Sequence, residues 1–252
     1  MRGLKIAFFA FLAVYFLIVV VARTPAAWAA WVAVRSVPGL YLSGVSGTAW
    51  DGRAAGAQMQ LGAQAIDLGG LQWELSGWRL LLLNACADVS STLISGGACY
   101  KLLGGGETLD NMVVDGVPAS LLNDRLGVQL SGVAGGVIQS ASIDSDGQLT
   151  DLIGNLTWQG ARINYGEGWL PLGSFAAELQ DNGAGAVDMN VFDTEGQIGV
   201  AMQGTYTLNG EITTSGVITP REGAPAPIVN ALSVFAEPTP EGGYQLSWPM
   251  GG

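Results

Sequence analysis

From residue 40 onward this chain repeatedly alternates apolar and polar residues, and no other feature of its sequence constrains the fold more. Ala55, Ala57, Met59 and Leu61 alternate with Gly56, Gln58 and Gln60, and Leu71, Trp73 and Leu75 alternate with Gln72 and Glu74. Phe175, Ala177 and Leu179 repeat the pattern, as do Val187, Met189 and Val191, and then Tyr244, Leu246 and Trp248. A period of two places one side chain in a core and the next in water, which is the signature of a half-buried strand. Asp51-Gly52, Asp146-Gly147, Asn182-Gly183, Glu195-Gly196 and Asn209-Gly210 separate these segments and read as tight turns. With 38 glycines and only 12% charged residues, the composition favours strands and turns over long helices. The expected fold is all-β, a curved antiparallel meander.

Two segments depart from that period. "GVPASLLNDRL" (116–126) and "GAPAPIVNALSVF" (223–235) have a proline where a first helical turn tolerates it, followed by apolar residues at helical spacing. Both read as short amphipathic helices. They also belong to an ordered self-similarity: "LSGVSG" at Leu42 recurs as "LSGVAG" at Leu130, "DLGGLQW" at Asp67 as "DLIGNLTW" at Asp151, and "GVPASLLN" at Gly116 as "GAPAPIVN" at Gly223. This suggests two related strand-rich units, about 41–129 and 130–252, each ending in a short helix.

The first 40 residues are different. Ile6–Ala22 is an uninterrupted apolar run, at the short end for a spanning helix. Arg2 and Lys5 precede it, which places residues 1–5 in the cytoplasm and the rest across the membrane. We read 6–24 as an uncleaved anchor in preference to a signal peptide, although Ala27 and Ala29 offer a small-x-small spacing. Residues 25–40 read as a membrane-proximal helix or linker whose Trp28 and Trp31 suit a membrane interface, and 41–252 as a β-rich domain outside the cytoplasm. Cys86 and Cys99 are the only cysteines. In that compartment an even count reads as a disulfide, worth about 3 kcal/mol in the chain-entropy model; a redox-active pair would want C-x-x-C.

The chemistry-bearing residues are sparse. There is no histidine, which removes Ser-His-Asp and Cys-His nucleophile systems and His-bearing metal sites. After Arg23 the chain carries seven basic against 21 acidic side chains, net −14, a balance that repels nucleic acid. "LSGVSGTAWDGRA" (42–54) lacks the lysine of a phosphate loop. The alternation through Tyr41–Trp50 makes it a first strand, with Asp51-Gly52 turning into the next. "DSD" at 144–146 reads as a hairpin turn, since a Ca²⁺ loop needs more oxygen ligands. Gly104–Gly106 reads as a loop tip. No catalytic residue, metal site or cofactor is assigned. Trp50, Trp73, Trp158, Trp169 and Trp248 are the candidates to line an apolar groove for lipid, or else to fill a dry core.

"GVSGTAWDGRA" (44–54), "LGGLQWEL" (68–75), "LSGVAGGV" (130–137) and "GYQLSWPMGG" (243–252) occur in an order and spacing that resembles the type II secretion system protein N family. The likeness extends over almost the whole chain. It implies a bitopic inner-membrane protein with a periplasmic β-rich domain, an accessory part of a machine exporting folded proteins, with other envelope components as partners and no enzymatic activity. The Cys86–Cys99 pair is a departure from that pattern.

Overall fold

The computed structural model describes residues 2–62, 64–123, 128–164, 166, 168–207 and 210–250, and the side chains among them except those of 2–7 and 248–250. It is mostly antiparallel sheet, in two compact units, Met1–Thr92 and Leu93–Gly252. The division falls well before the 129/130 repeat boundary. Strands β7 (Glu107–Pro118) and β8 (Gln129–Ile143) pair from Glu107↔Ile143 to Pro118↔Val133, so residues on either side of that boundary share one ladder.

In the first unit, helix α1 (Arg2–Ala22) carries the apolar run and α2 (Ala26–Ser36) follows it. Strands β1 (Leu40–Ser43), β3 (Asp51–Leu61), β4 (Gln64–Leu75) and β5 (Asn84–Ser90) form the sheet in that order; the two-residue β2 (Ser46–Gly47) pairs with β3, and a short helix α3 (Gly77–Leu81) joins β4 to β5. The core is small. Ala26 and Ala30 of α2 pack with Ala54 and Trp73, flanked by Ala29, Leu42, Val45, Leu71, Leu75 and Val89. Period two delivers Leu71, Trp73 and Leu75 to one face, and the alanines let α2 sit close to it.

The Asp51-Gly52 turn is corrected. Both residues begin β3, and the chain reverses earlier, where the Thr48 N–H donates to Asp51 O (2.8 Å) and the Asp51 N–H to Thr48 Oγ1 (3.1 Å). The threonine hydroxyl builds the turn, which leaves Gly52 free for a different duty. A Cβ there would enter the Trp73 indole and lie 2.8 Å from Thr48 O. Gly52→Ala should therefore lower the stability of the first unit by about 2 kcal/mol through overpacking, read as a shifted urea midpoint.

In the second unit, β6 (Ile94–Lys101), β7, β8, β9 (Leu149–Asn164), β10 (Trp169–Asp181), β11 (Ala186–Glu195), β12 (Ile198–Thr207) and β13 (Ile212–Pro220) pair in chain order. Helix α4 (Ala226–Phe235) follows, then β14 (Glu237–Pro238) and β15 (Tyr244–Met250), with β15 paired to β13. The 223–235 helix thus forms, starting at Ala226 behind Pro225. Of the 116–126 helix, Gly116 to Pro118 are instead paired strand or its bulge, Ala119–Leu122 make a 3₁₀ turn and Asn123 is helical, while residues 124–127 lie outside the described ones. The Asp144–Gln148 hairpin is held by Asp144 Oδ1, which accepts from the Asp146 and Gln148 N–H groups (2.9 Å each). Asn209 of the last turn lies outside the described residues.

Candidate functional site

Residues opposite one another in an antiparallel ladder share a face, so the registers of the second unit trace rows across its strands. One row runs Ile138–Gly154–Leu179–Met189–Gly204–Thr214. Two residues along each strand, on the same face, a second row runs Val114–Gly136–Leu156–Ala177–Val191–Met202–Gly216–Leu246. The residues between them point the other way and read Val137–Asn155–Glu178–Asn190–Gln203–Ser215–Ser247. That polar face carries its own hydrogen bonds: Asn190 Nδ2 donates to Glu178 Oε2 (3.4 Å) and Thr205 Oγ1 to Asp188 Oδ1 (2.9 Å).

The two faces differ in burial as well as in chemistry. Glu178, Asn190, Gln203, Ser215 and Ser247 are exposed, whereas Leu179, Met189, Val191, Met202 and Leu246 are half-buried. Leu156 is 43% exposed. Leu156, Met189 and Met202 keep part of their apolar surface in water, while the helix after β13 packs its buried Leu232 beside β15. Such a face leaves unrealised a stabilisation of about 25 cal/mol for each Å² that a covering surface would remove from water. In the first unit the apolar face of the sheet is already covered by α2.

The five tryptophans do not converge on one place. Trp73 belongs to the packed core of the first unit, where its Nε1 donates to Ala49 O (3.1 Å). Trp50, also in the first unit, donates from Nε1 to Val21 O (2.8 Å), and the Thr24 hydroxyl donates to the same carbonyl (2.9 Å). A helix leaves its last carbonyls without partners, so these two donors cap the C-terminus of α1 and tie it to the sheet, with Ala49 N–H to Thr24 O (2.8 Å) beside them. In the second unit Trp158 is half-buried beside Phe175 (ring centroids 6.0 Å apart) and donates to Ser131 O (3.1 Å), while Trp169 is 47% exposed at the start of β10. Trp248 pairs through its backbone with Thr214, and its side chain lies outside the described residues. The alternation of Val187, Met189 and Val191 signalled the apolar rows more directly than the aromatics did.

The second unit's one ion pair among the described residues locks the β11–β12 turn. Arg221 Nη2 lies 2.7 Å from Asp193 Oδ2, Arg221 Nη1 donates to Gly196 O (3.0 Å), and the Val200 N–H donates to Asp193 Oδ1 (2.8 Å). Burial pushes the Asp193 carboxyl up, but the Val200 N–H and the bonded, charged Arg221 guanidinium outweigh it and hold the group below the ordinary carboxylate value. A depressed folded pKa adds stability above the unfolded value, about 3.9, and that stability is lost as pH falls further through the folded one. Arg221 is half-exposed, so the contribution is about 1 kcal/mol. Asp193→Asn should lose that amount at pH 7 and show a flatter acid unfolding profile, measured by melts between pH 7 and pH 2.

Cys86 on β5 and Cys99 on β6 carry no free thiol. Among the described residues no group of three His, Cys, Asp or Glu side chains is placed to hold a metal, and no helix is long and apolar enough to cross a membrane. The side chains of α1 from Phe8 to Val21 are nevertheless exposed on every side, Phe11 at 70% and Phe16 at 65%.

Residues 38–247 match the family model described as type II secretion system (T2SS), protein N. The matched stretch starts just after α2. A type II secretion system protein N of Klebsiella pneumoniae is 26% identical over 195 residues, covering 73% of each chain. Another, of Aeromonas hydrophila, is 27% identical over 217 residues, covering 82% of each. No solved structure matches.

Proposed function

The chain belongs to the type II secretion system protein N family, and from that premise we propose that it is an accessory inner-membrane component of the type II secretion machinery. It supports export of folded proteins across the outer membrane by protein–protein contact, without catalysis. The observation that carries this reading is the family match over both units, joined to the partly exposed apolar rows of the second one. Partners are other envelope components, and the two apolar rows are where one of them seats.

Anchoring by residues 6–24, with the β-rich part in the periplasm, belongs to the same proposal. A helix that is apolar all round and exposed all round is suited to lipid rather than water. A Cys86–Cys99 disulfide fits an oxidising compartment. Non-reducing thiol labelling of periplasmic protein should find no reactive cysteine until reductant is added.

Deletion of the gene should leave exoprotein synthesis intact and trap the folded exoprotein in the periplasm. Normal secretion in the deletion strain, with the other components present, would sink the reading. The rows also favour a second occupant, acyl chains, since hydrocarbon needs a long uncharged surface. Native mass spectrometry of gently purified protein decides between them: bound lipid supports the lipid-bridging reading, and lipid-free protein that captures an envelope component supports the first.

A further inference from the structure

Helix α2 is amphipathic the wrong way round for a helix in water. Ala26 and Ala30 are buried with Ala29 beside them, while the opposite side presents Trp28 (64% exposed), Trp31 (52%) and Val32 (52%). The two indoles meet edge to face at 6.4 Å, and the Arg35 guanidinium lies over the Trp31 ring, 4.4 Å from its centroid. A tryptophan pair with a cation stacked on it, left outside while alanines go inside, forgoes the largest apolar burial the helix has to offer.

The geometry points to the headgroup region of an anionic phospholipid bilayer as the surface that covers this face. Only Arg23, Thr24 and Pro25 separate α2 from α1, whose side chains from Phe8 to Val21 are apolar and exposed on every side. Residues 1–50 contain Arg2, Lys5, Arg23 and Arg35 and no acidic side chain, in a chain whose net charge is −11. The charge balance therefore reverses where the membrane would be, and suits an anionic surface. Tryptophan prefers the interface for its apolar ring and N–H, and arginine reaches from it to phosphate. The Trp50 and Thr24 bonds to Val21 O fix where α1 ends relative to the sheet, so α2 is held at one depth. On this inference α2 lies in the plane of the membrane and seats the first unit on it, outside the stretch matched by the family.

This rests on the anchor reading, and the test separates the two. The full chain is placed in vesicles containing phosphatidylglycerol with or without lipid brominated near the carbonyl end of its chains. Emission from a Trp28→Phe, Trp31→Phe variant is subtracted from that of the wild type to isolate the two indoles. Brominated lipid is expected to quench the difference emission by about half or more, and aqueous acrylamide to quench it little. Arg35→Glu should reduce the bromolipid quenching on anionic vesicles and leave it unchanged on zwitterionic ones. Difference emission open to acrylamide and untouched by brominated lipid overturns the inference. The quenching is read before an alkaline carbonate wash; release of the chain by that wash overturns the anchor alone.

Discussion

Trp73→Ala is expected to cost the first unit about 4 kcal/mol, a large part of the 5–15 kcal/mol that holds a typical domain together. The indole is 9% exposed and is the one large side chain among the buried residues of its core, with Ala26, Ala30 and Ala54 beside it and Leu42, Val45, Leu71, Leu75 and Val89 half-buried around them. The buried alanines cannot lean into the space it would leave, Leu71 and Leu75 are tied to the same strand on either side of it, and the backbone at Gly52 is already in contact with its ring. The cavity therefore stays open, which puts the cost at the upper end for such truncations. The Ala49 carbonyl also loses its Nε1–H partner, 3.1 Å away. Trp73→Phe keeps most of the apolar volume and gives up the hydrogen bond, so about half that loss is expected. Trp169→Ala, at a ring 47% exposed, should change stability by less than about 1 kcal/mol. Urea unfolding of the three variants checks the order. A Trp73→Ala protein within about 1 kcal/mol of wild type would mean that the α2-on-sheet core does not hold this unit.

The alternation that revealed the strands is local, and local signals were read well. Residues 55–61, 71–75, 175–179, 187–191 and 244–248 all lie in strands, because period two is set by the pleat itself. What failed were signals with two physical meanings. Asp51-Gly52 has the composition of a hairpin turn, yet the glycine is there so that an indole can lie on its backbone; only the tertiary partner, Trp73, tells these apart. Pro118 suits a first helical turn and equally the end of a strand, and pairing with Val133 decides for the strand. The apolar rows were half legible. Strands β10, β11 and β15 announced an apolar face, but which residues line up across strands depends on register, and register is displaced by bulges at Ser131/Val133, Ile138/Ser140 and Ser174/Phe175. The five tryptophans were read as one set because they are large and apolar. The two units separate them, and a hydrogen bond from Trp50 to the end of α1 has no sequence signature.

Met189→Asp, in the middle of the first apolar row, should leave the fold standing and abolish the function that depends on that face. Met189 is half-buried and pairs with Leu179 on one side and Gly204 on the other. An aspartate there keeps contact with water in the free protein, so its cost to folding is about the span of strand propensities, about 1 kcal/mol. Once a partner or an acyl chain covers the row, the same carboxylate is taken from water without a counter-charge, at a cost of several kcal/mol. At 1.4 kcal/mol per tenfold change, that is a loss of about 100-fold or more in affinity. Gln203→Glu, one residue from Gly204 on the polar face and already exposed, adds the same charge where nothing is expected to cover it and should secrete normally. Chain abundance, melting temperature and exoprotein in the medium are measured together. Folded Met189→Asp protein at normal abundance with unimpaired secretion would show that the apolar rows are not the working surface. Loss of secretion along with loss of co-purifying lipid would move the assignment from a protein partner to acyl chains on the same residues.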